Sequence, residues 1–325
     1  MSRPRALAAL LTPLALLAGC SQQSTSQDAP VVETVAAPAS TSPASSRPAS
    51  TPLASTPAAA PLEDPAAPTV TKLLVFIVEN HSLQQVRDGM PWVSRLADTY
   101  GYATRYRAIT HPSLPNYLAI AGGDTFGVTD DKPPADHPLP GPSVFGRAVR
   151  TGQTATTYAE GMTSRCQLTN EGRYAVRHNP WTYFSSERRL CRRHDVPLTQ
   201  LAGDITDGVL PAVGLVIPDV CNDAHDCSLG TANTWLKREV GAVLDGPDFA
   251  SGDLAVVITA DEDDRRHGNR VLTVVAQPDL SHVVVRRALT HYSLSRSYAE
   301  VAGVRPLGQA RTARSLLRAF GLTPG

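Results

Sequence analysis

The sequence predicts an α/β domain with a mostly parallel central sheet. Three runs of consecutive apolar residues support this prediction, and each has the length of one strand: 73–78, 213–217 and 254–260. Strands that are apolar on both faces are typical of parallel sheets covered by helices on either side. Segments with helical patterns separate these runs, so strands and helices alternate as they do in α/β domains.

The first 19 residues have the pattern of a secretory signal peptide. Two arginines precede an apolar core over 7–18, which is too short for a permanent transmembrane helix. The core ends in Leu-Ala-Gly-Cys at 17–20, which resembles a bacterial lipobox and predicts lipidation of Cys20. An ordinary signal peptide cleaved nearby is the alternative. The expected product is extracytoplasmic and lipid-anchored to the bacterial cell membrane.

Residues 20–70 are predicted to form a tether that begins at the lipidated Cys20. Of the 50 residues from 21 to 70, 36 are Ala, Pro, Ser or Thr. Such a segment buries too little apolar surface to offset its conformational entropy, so we expect disorder. Its prolines favour an extended chain. The tether would hold the folded domain, residues 71–325, away from the membrane surface.

The charge of the folded domain is balanced. Residues 71–325 contain 27 Lys plus Arg and 26 Asp plus Glu, a net charge of +1. This total gives no indication of electrostatic binding to nucleic acid or to anionic lipid.

Four cysteines remain when Cys20 is set aside. An even number in an exported protein indicates two disulfides, and three connectivities are possible. The pairs Cys166–Cys191 and Cys221–Cys227 are favoured because each closes a local loop. A zinc site made from all four cysteines is the alternative, although the C-x2-C spacing is absent.

Carboxylates follow each of the three apolar runs. Glu79 and Asn80 follow the first, a loop with Asp223 and His225 follows the second, and Asp261 and Glu262 follow the third. Parallel strands bring their carboxyl ends to the same edge of a sheet. The sequence therefore predicts a site for a hard cation at that edge.

Two further residues are predicted to lie near helix starts. Ser113 stands just outside a helix in which Pro115 suits the first turn and a pair of glycines suits the end. A helix N-terminus favours a phosphate and a partly ionised hydroxyl, although a Ser there also serves as a simple cap. His291 precedes a later helix, where it could be a ligand, a cap or a surface residue.

Six motifs occur in the order that is typical of a known family: FIVENHS at 76–82, HPSLPNY at 111–117, RHNP at 177–180, CNDAHDC at 221–227, DE at 261–262 and THYSL at 290–294. With them, the chain resembles the bacterial phosphoesterase family that includes phospholipase C-type enzymes and acid phosphatases, in the alkaline phosphatase-like superfamily. The resemblance spans residues 72–320. It implies an alkaline phosphatase-like three-layer sandwich.

The resemblance also implies one or two divalent metal ions of unknown identity. The first ligand set would be Glu79, Asn80, Ser113, Asp261 and Glu262. The second set would be Asp223, His225 and His291, and Asp219 competes with Asp223 for its position.

The implied activity is metal-dependent hydrolysis of phosphate esters through a phosphoserine at Ser113. Asn116 would contact the phosphoryl group, and His111 and His178 would contact it or protonate the leaving group. Small-molecule and lipid esters, and monoesters and diesters, stay open as substrates. The alternative is a non-catalytic envelope lipoprotein that binds an anionic ligand in the same cleft. A sulfatase is disfavoured because position 117 is Tyr where the sulfatase motif has Arg.

Overall fold

A sheet of eight strands forms the centre of the structure, a computed structural model in which residues 67–325 are described. The predicted signal peptide, Cys20 and nearly all of the tether lie outside these residues. Within them are twelve strands: β1 Thr69–Val70, β2 Lys72–Val78, β3 Gly101–Ala103, β4 Tyr106–Arg107, β5 Ala155–Ala159, β6 Asp195–Pro197, β7 Val213–Ile217, β8 Leu254–Ala260, β9 Thr273–Ala276, β10 Val283–Val285, β11 Leu289–Thr290 and β12 Thr323–Pro324.

The central sheet has the strand order β10-β3-β9-β8-β2-β7-β5-β6. Only β9 is antiparallel to its neighbours in this described sheet. The pairs β1–β12 and β4–β11 form two small parallel sheets. The prediction of an α/β fold with a mostly parallel sheet is confirmed.

The apolar strands occupy the middle of the sheet, as their sequences predict. β2 lies between β7 and β8, and apart from the half-buried Lys72 every residue of these three strands is buried. A strand with strands on both sides and helices on both faces has no contact with water, which explains the continuous apolar runs.

The helices pack in two groups, which with the sheet make three layers. One group contains α1, α2 and α7, and the other contains α3, α4 and α9. The ten described helices are α1 Leu83–Gly89, α2 Pro91–Thr99, α3 Ser113–Gly122, α4 Val144–Arg150, α5 Arg188–His194, α6 Leu201–Thr206, α7 Leu229–Leu244, α8 Pro247–Ala250, α9 His291–Val301 and α10 Leu316–Ala319. None of the described helices is both long enough and apolar enough to cross a bilayer.

The sequence also predicts a C-terminal helix over 311–320, and that prediction is wrong in extent. The chain forms a 3-10 turn at Gly308–Arg311 and then the short helix α10. Arg296 of α9 donates to the carbonyl oxygens of Arg311 and Ala313 at 3.0 and 3.1 Å, which holds this segment away from a helical path. Ser315 then caps α10 by accepting from Arg318 N.

Both predicted disulfides are present. Cys166 pairs with Cys191 across 25 residues, and Cys221 pairs with Cys227 across 6. The alternative of a zinc site made from these four cysteines is therefore wrong. The first disulfide lies beside the buried Asp195, which accepts hydrogen bonds from Asn179. The second closes the loop that follows β7.

Candidate active site

Two adjacent strands bring carboxylates together at one edge of the sheet. β2 ends at Val78 and β8 ends at Ala260, and these residues are partners in the parallel register. Glu79 and Asp261 come next, and both are completely buried. Asn80 has a φ of +46°, a left-handed conformation that Asn tolerates better than most residues, so the chain turns directly after Glu79. The predicted convergence of these two junctions is confirmed.

Helix α3 brings Ser113 to the same carboxylates. Ser113 is the first residue of α3 rather than just outside it, because Pro112 is extended and forms the N-cap. Its Oγ donates to Glu79 Oε2 at 3.1 Å. Tyr117 lies one turn later on the same face and donates to Glu79 Oε1. Two hydroxyl groups of α3 therefore hold the two oxygens of Glu79.

A carboxylate already faces the N-terminus of α3. The N–H of Leu114 donates to Asp131 Oδ1 at 2.9 Å, and Pro115 has no N–H to offer. The predicted binding of phosphate at this helix end is therefore not supported, because an aspartate takes that position.

The side chains of Glu79, Asn80 and Asp261 converge at the ends of β2 and β8. The carboxamide atom that faces the cluster lies 3.2 Å from Asp261 Oδ1 and 3.2 Å from Glu79 Oε2. With nitrogen at that position the carboxamide donates to both carboxylates, and with oxygen there it could serve as a third oxygen ligand of a cation. Asp261 Oδ2 is buried and has no hydrogen-bond partner among the described residues. These residues fit a hard divalent cation.

Burial of these carboxylates together changes their protonation. Burial raises the pKa of Glu79 well above its usual value, and the charges of Asp261 and Asp223 raise it further. Burial likewise raises the pKa of Asp261 to about 6 and that of Asp223 to about 8. A cation at this position would favour the ionised carboxylates and oppose these shifts.

His178 lies between Glu79 and Asp223. Its Nε2 is 3.4 Å from Glu79 Oε2 and its Nδ1 is 3.3 Å from Asp223 Oδ2, without good hydrogen-bond geometry for either nitrogen. The ring stacks on Tyr117 with a centroid distance of 5.2 Å. Burial lowers the pKa of His178 well below its usual value, so the imidazole is neutral. Glu79, His178 and Asp223 offer three buried ligand atoms within 4.8 Å of one another.

His291 does not have the predicted position of a metal ligand. It is the first residue of α9 and is completely buried. Its Nε2 lies 2.6 Å from the backbone oxygen of Asp261, and its Nδ1 lies 3.0 Å from the Tyr106 hydroxyl. Both ring nitrogens therefore have protein partners, and His291 fixes the backbone of Asp261 instead.

His225 also lies outside the buried cluster. Its Nδ1 is 2.7 Å from Asp226 Oδ1, and its Nε2 is 3.3 Å from the Arg177 guanidinium. Its backbone N–H donates to Asp223 Oδ1, so the loop turns Asp223 inward and the His225 side chain outward. The competing residue Asp219 accepts from backbone N–H groups of its own turn, which leaves Asp223 as the carboxylate of this loop that faces Glu79.

The carboxylate of Glu262 contacts His111 and Asn116 rather than the Asn80 side chain. Its Oε2 lies 3.0 Å from His111 Nδ1 and 3.3 Å from Asn116 Nδ2. Because Glu262 contacts His111 and Asn116, it does not share a ligand set with Asp261. The carboxamide of Asn116 bonds backbone atoms of Ile109, Thr110 and Pro112, so it holds the loop before Ser113 rather than facing a substrate.

Sequence reasoning missed three residues of this site. Tyr117 bonds Glu79, and its spacing of four residues from Ser113 on one helix was the signal that could have identified it. Asp263 Oδ1 lies 3.3 Å from His111 Nε2. Arg177 contacts His225 and contributes positive charge near Glu79 and Asp223. Arg177 is the first residue of the RHNP motif at 177–180, and that motif was the signal that could have identified it.

The sequence is similar to known proteins over most of the described domain. The sequence model of the Phosphoesterase family matches residues 77–279. The chain is 28% identical over 259 residues to the phosphatidylinositol-3-phosphatase of Mycobacterium tuberculosis, which covers 79% of this chain and 85% of that protein. It is 31% identical over 238 residues to the phosphate-repressible acid phosphatase of Penicillium chrysogenum, covering 70% of this chain. The match spans little more than half, 58%, of that fungal protein.

Solved structures share the fold. A protein in the alkaline phosphatase superfamily from Vibrio parahaemolyticus superimposes with a TM-score of 0.54 at 10% sequence identity, covering 75% of this chain and 69% of that one. At this identity the likeness shows the fold alone, and it confirms the alkaline phosphatase-like architecture.

Proposed function

This chain belongs to the phosphoesterase family, and from that premise we propose that it hydrolyses phosphate esters through a phosphoserine at Ser113 with a divalent cation. Its curated relatives carry the names of phosphatases, and the chain is a phosphoric ester hydrolase. These names disfavour the alternative of a non-catalytic lipoprotein that binds an anionic ligand. The nucleophile, the cation and the substrate are the parts that we propose.

The observation that carries the proposal is the contact between Ser113 Oγ and Glu79 Oε2 at 3.1 Å. A buried serine whose hydroxyl faces a buried carboxylate has an acceptor for its proton, which is what a nucleophilic hydroxyl needs. Neighbouring elements limit the movement of both residues, because Tyr117 holds the other oxygen of Glu79.

Glu79, Asn80 and Asp261 would hold one cation next to Ser113. The group Glu79, His178 and Asp223 offers a second set, with Glu79 common to both. A divalent cation supplies positive charge that lowers the pKa of a nearby hydroxyl and neutralises charge on a phosphoryl oxygen.

The chain's own residues account for the proton transfers of the proposed reaction. The Ser113 oxygen forms a bond to phosphorus while its proton passes to the Glu79 carboxylate, and the bond from phosphorus to the ester oxygen breaks. The pair His111–Glu262, with 3.0 Å between Nδ1 and Oε2, stands at the partly exposed side of the site and protonates the leaving alcohol. Water then attacks phosphorus and gives a proton to this pair, while the bond from phosphorus to the Ser113 oxygen breaks and Glu79 returns the proton to that oxygen.

Burial favours a proton on Glu262 in this pair. It raises the pKa of Glu262 to about 9 and lowers the pKa of His111. Around neutral pH the proton is therefore on the carboxyl group of Glu262.

Arg177 supports a substrate with a strongly anionic phosphate group. Its guanidinium stays charged and lies at the outer side of the cluster, 3.3 Å from His225 Nε2. A monoester carries more negative charge than a diester, which favours phosphate monoesters as substrates. Because the mycobacterial relative is named a phosphatidylinositol-3-phosphatase, lipid phosphate monoesters are the first class of natural substrates to test.

Removal of the cation is expected to abolish activity. Dialysis against EDTA should lower hydrolysis of p-nitrophenyl phosphate by about a hundredfold or more, because no positive charge then lowers the pKa of the nucleophilic hydroxyl or neutralises charge on the phosphoryl oxygen. Readdition of Mg²⁺, Mn²⁺, Ca²⁺ or Zn²⁺ one at a time identifies the ion. Full activity in protein that elemental analysis shows to be metal-free would refute the cation requirement. A parallel assay with bis-p-nitrophenyl phosphate shows whether the protein also hydrolyses diesters.

The proposed location is the outer face of the cell membrane, through lipid on Cys20. The two disulfides support an oxidising compartment. Labelling of growing cells with a radioactive fatty acid should mark the wild-type protein and leave Cys20→Ser unmarked. Labelling of that variant would contradict the anchor.

A further inference from the structure

The small net charge of the domain conceals a strong separation of charge along the chain. Residues 286–325 contain seven arginines and one acidic residue, Glu300, whereas residues 71–285 contain 20 basic and 25 acidic residues. The active-site carboxylates belong to the acidic part. The sequence total of +1 therefore does not describe the surface that a partner would meet.

Four of the seven C-terminal arginines surround one cavity of about 260 Å³, which we name the basic pocket. Its charged lining residues are Arg287, Arg296, Arg314 and Arg318. They come from three elements: Arg287 follows β10, Arg296 belongs to α9, and the other two lie just before and within α10. Elements that are distant in sequence thus direct four guanidinium groups to one place.

The fold uses only part of this charge. Arg296 and Arg318 have their Nε atoms 3.0 and 3.4 Å from Glu300 Oε1, so they share one carboxylate. Arg287 and Arg314 are exposed and make no ion pair within residues 67–325. Four like charges against one carboxylate leave an uncompensated positive field, which an anion would neutralise.

The basic pocket lies beside the point where the tether enters the domain. β1, at the start of the described chain, pairs with β12, and Thr323 N donates to Pro68 O at 2.8 Å. Helix α10, which carries Arg318, packs against β12. Whatever is attached through residues 20–66 therefore reaches the folded domain at the side where the arginines are concentrated.

A second cavity is also lined by arginines. Arg147, Arg150 and Arg305 line a cavity of about 490 Å³ next to the end of α9. Arg147 donates to the backbone oxygen of Arg305 at 2.6 Å, and Arg150 pairs with Glu187, so this cavity has less free charge than the basic pocket.

We propose that the basic pocket binds the phosphate headgroups of anionic lipids and so orients the domain on the membrane surface. The predicted tether alone would limit the distance of the domain from the membrane but not its orientation. Arginines match phosphate geometry with two parallel hydrogen bonds, and basic clusters beside a membrane attachment are typical of binding to anionic lipids. This binding goes beyond the hydrolysis proposed above and uses none of its residues.

The test measures vesicle binding of residues 20–325 with Cys20→Ser, which lacks the lipid. We expect cosedimentation with vesicles of phosphatidylcholine containing phosphatidylglycerol, little with phosphatidylcholine alone, and a strong decrease at high salt. The triple variant Arg287→Gln, Arg314→Gln and Arg318→Gln should bind at least about tenfold more weakly. The matched control Arg189→Gln, Arg192→Gln and Arg193→Gln removes equal charge from α5 and should bind as the parent does.

Three outcomes would overturn the proposal. The first is that the protein does not bind anionic vesicles. The second is that the α5 control loses as much vesicle binding as the triple variant. The third is that calorimetry shows binding of inorganic phosphate, which the triple variant loses, while the protein does not bind vesicles. Hydrolysis of p-nitrophenyl phosphate by each variant reports that it is folded. If the triple variant fails to fold, the single changes of the exposed Arg287 and Arg314 replace it, and each should weaken vesicle binding.

Discussion

Ser113→Ala is expected to lower kcat for p-nitrophenyl phosphate by about 10⁴-fold or more, because no other hydroxyl is held at this position. Water could attack phosphorus in place of the serine, but it would lack the fixed contact with Glu79 Oε2 at 3.1 Å. The change removes one buried hydroxyl, so the free energy of unfolding should change by no more than about 1–2 kcal/mol.

The matched control is Ser94→Ala. Ser94 donates to the backbone oxygen of Arg87 at 2.7 Å and lies on α2, outside the site. This variant also loses one hydrogen bond, yet it should keep full activity. Steady-state kinetics and circular dichroism of both variants make the comparison. A folded Ser113→Ala protein within tenfold of wild-type kcat would exclude Ser113 as the nucleophile.

Glu79→Gln is expected to lose bound metal and activity together. Glu79 contacts Ser113, Tyr117 and His178, and it is shared by both candidate ligand sets. An amide keeps the size of the side chain but removes the charge that holds a cation. We expect metal content to fall well below that of the wild type and kcat/KM to fall by at least about a hundredfold.

Metal content by mass spectrometry and stability against pH give two readouts of this variant. Burial raises the carboxyl pKa values of Asp261 and Asp223 to about 6 and about 8, so the folded metal-free state holds protons that the unfolded state has released. Stability of metal-free protein should therefore fall as pH rises from about 4 towards 8. Glu79→Gln should make that fall less steep, because it removes one of the three coupled carboxylates.

Glu239→Gln is the control, since Glu239 pairs with its exposed neighbour Arg238 on α7. It should keep its metal and its activity. Unchanged metal content in Glu79→Gln would argue against Glu79 as a ligand, whatever happens to turnover.

The strands of this site were predictable because their signal is local. β2, β7 and β8 are apolar throughout, and a carboxylate following each buried strand indicates the sheet edge at which they meet. The disulfides followed from loop length. The antiparallel direction of β9 was not predictable, because its apolar run looks the same in either direction.

The partners of the histidines could not be predicted from the sequence. His291 was predicted as a metal ligand and His178 as a residue that contacts the phosphoryl group or protonates the leaving group. His291 instead bonds Tyr106 and a backbone oxygen, while His178 faces two carboxylates. Each outcome depends on which residues pack around the ring, and a motif does not contain that information. The basic pocket could not be predicted for a similar reason, because the net charge of the domain does not contain the positions of the charged residues.

The stereochemistry of transfer tests the central claim most directly. Hydrolysis of an ester whose phosphorus is made chiral with oxygen isotopes and sulfur proceeds by two in-line displacements if a phosphoserine forms, and each displacement inverts the configuration. We predict overall retention of configuration in the product. Inversion would mean that water attacks the substrate directly, and it would contradict a covalent intermediate at Ser113.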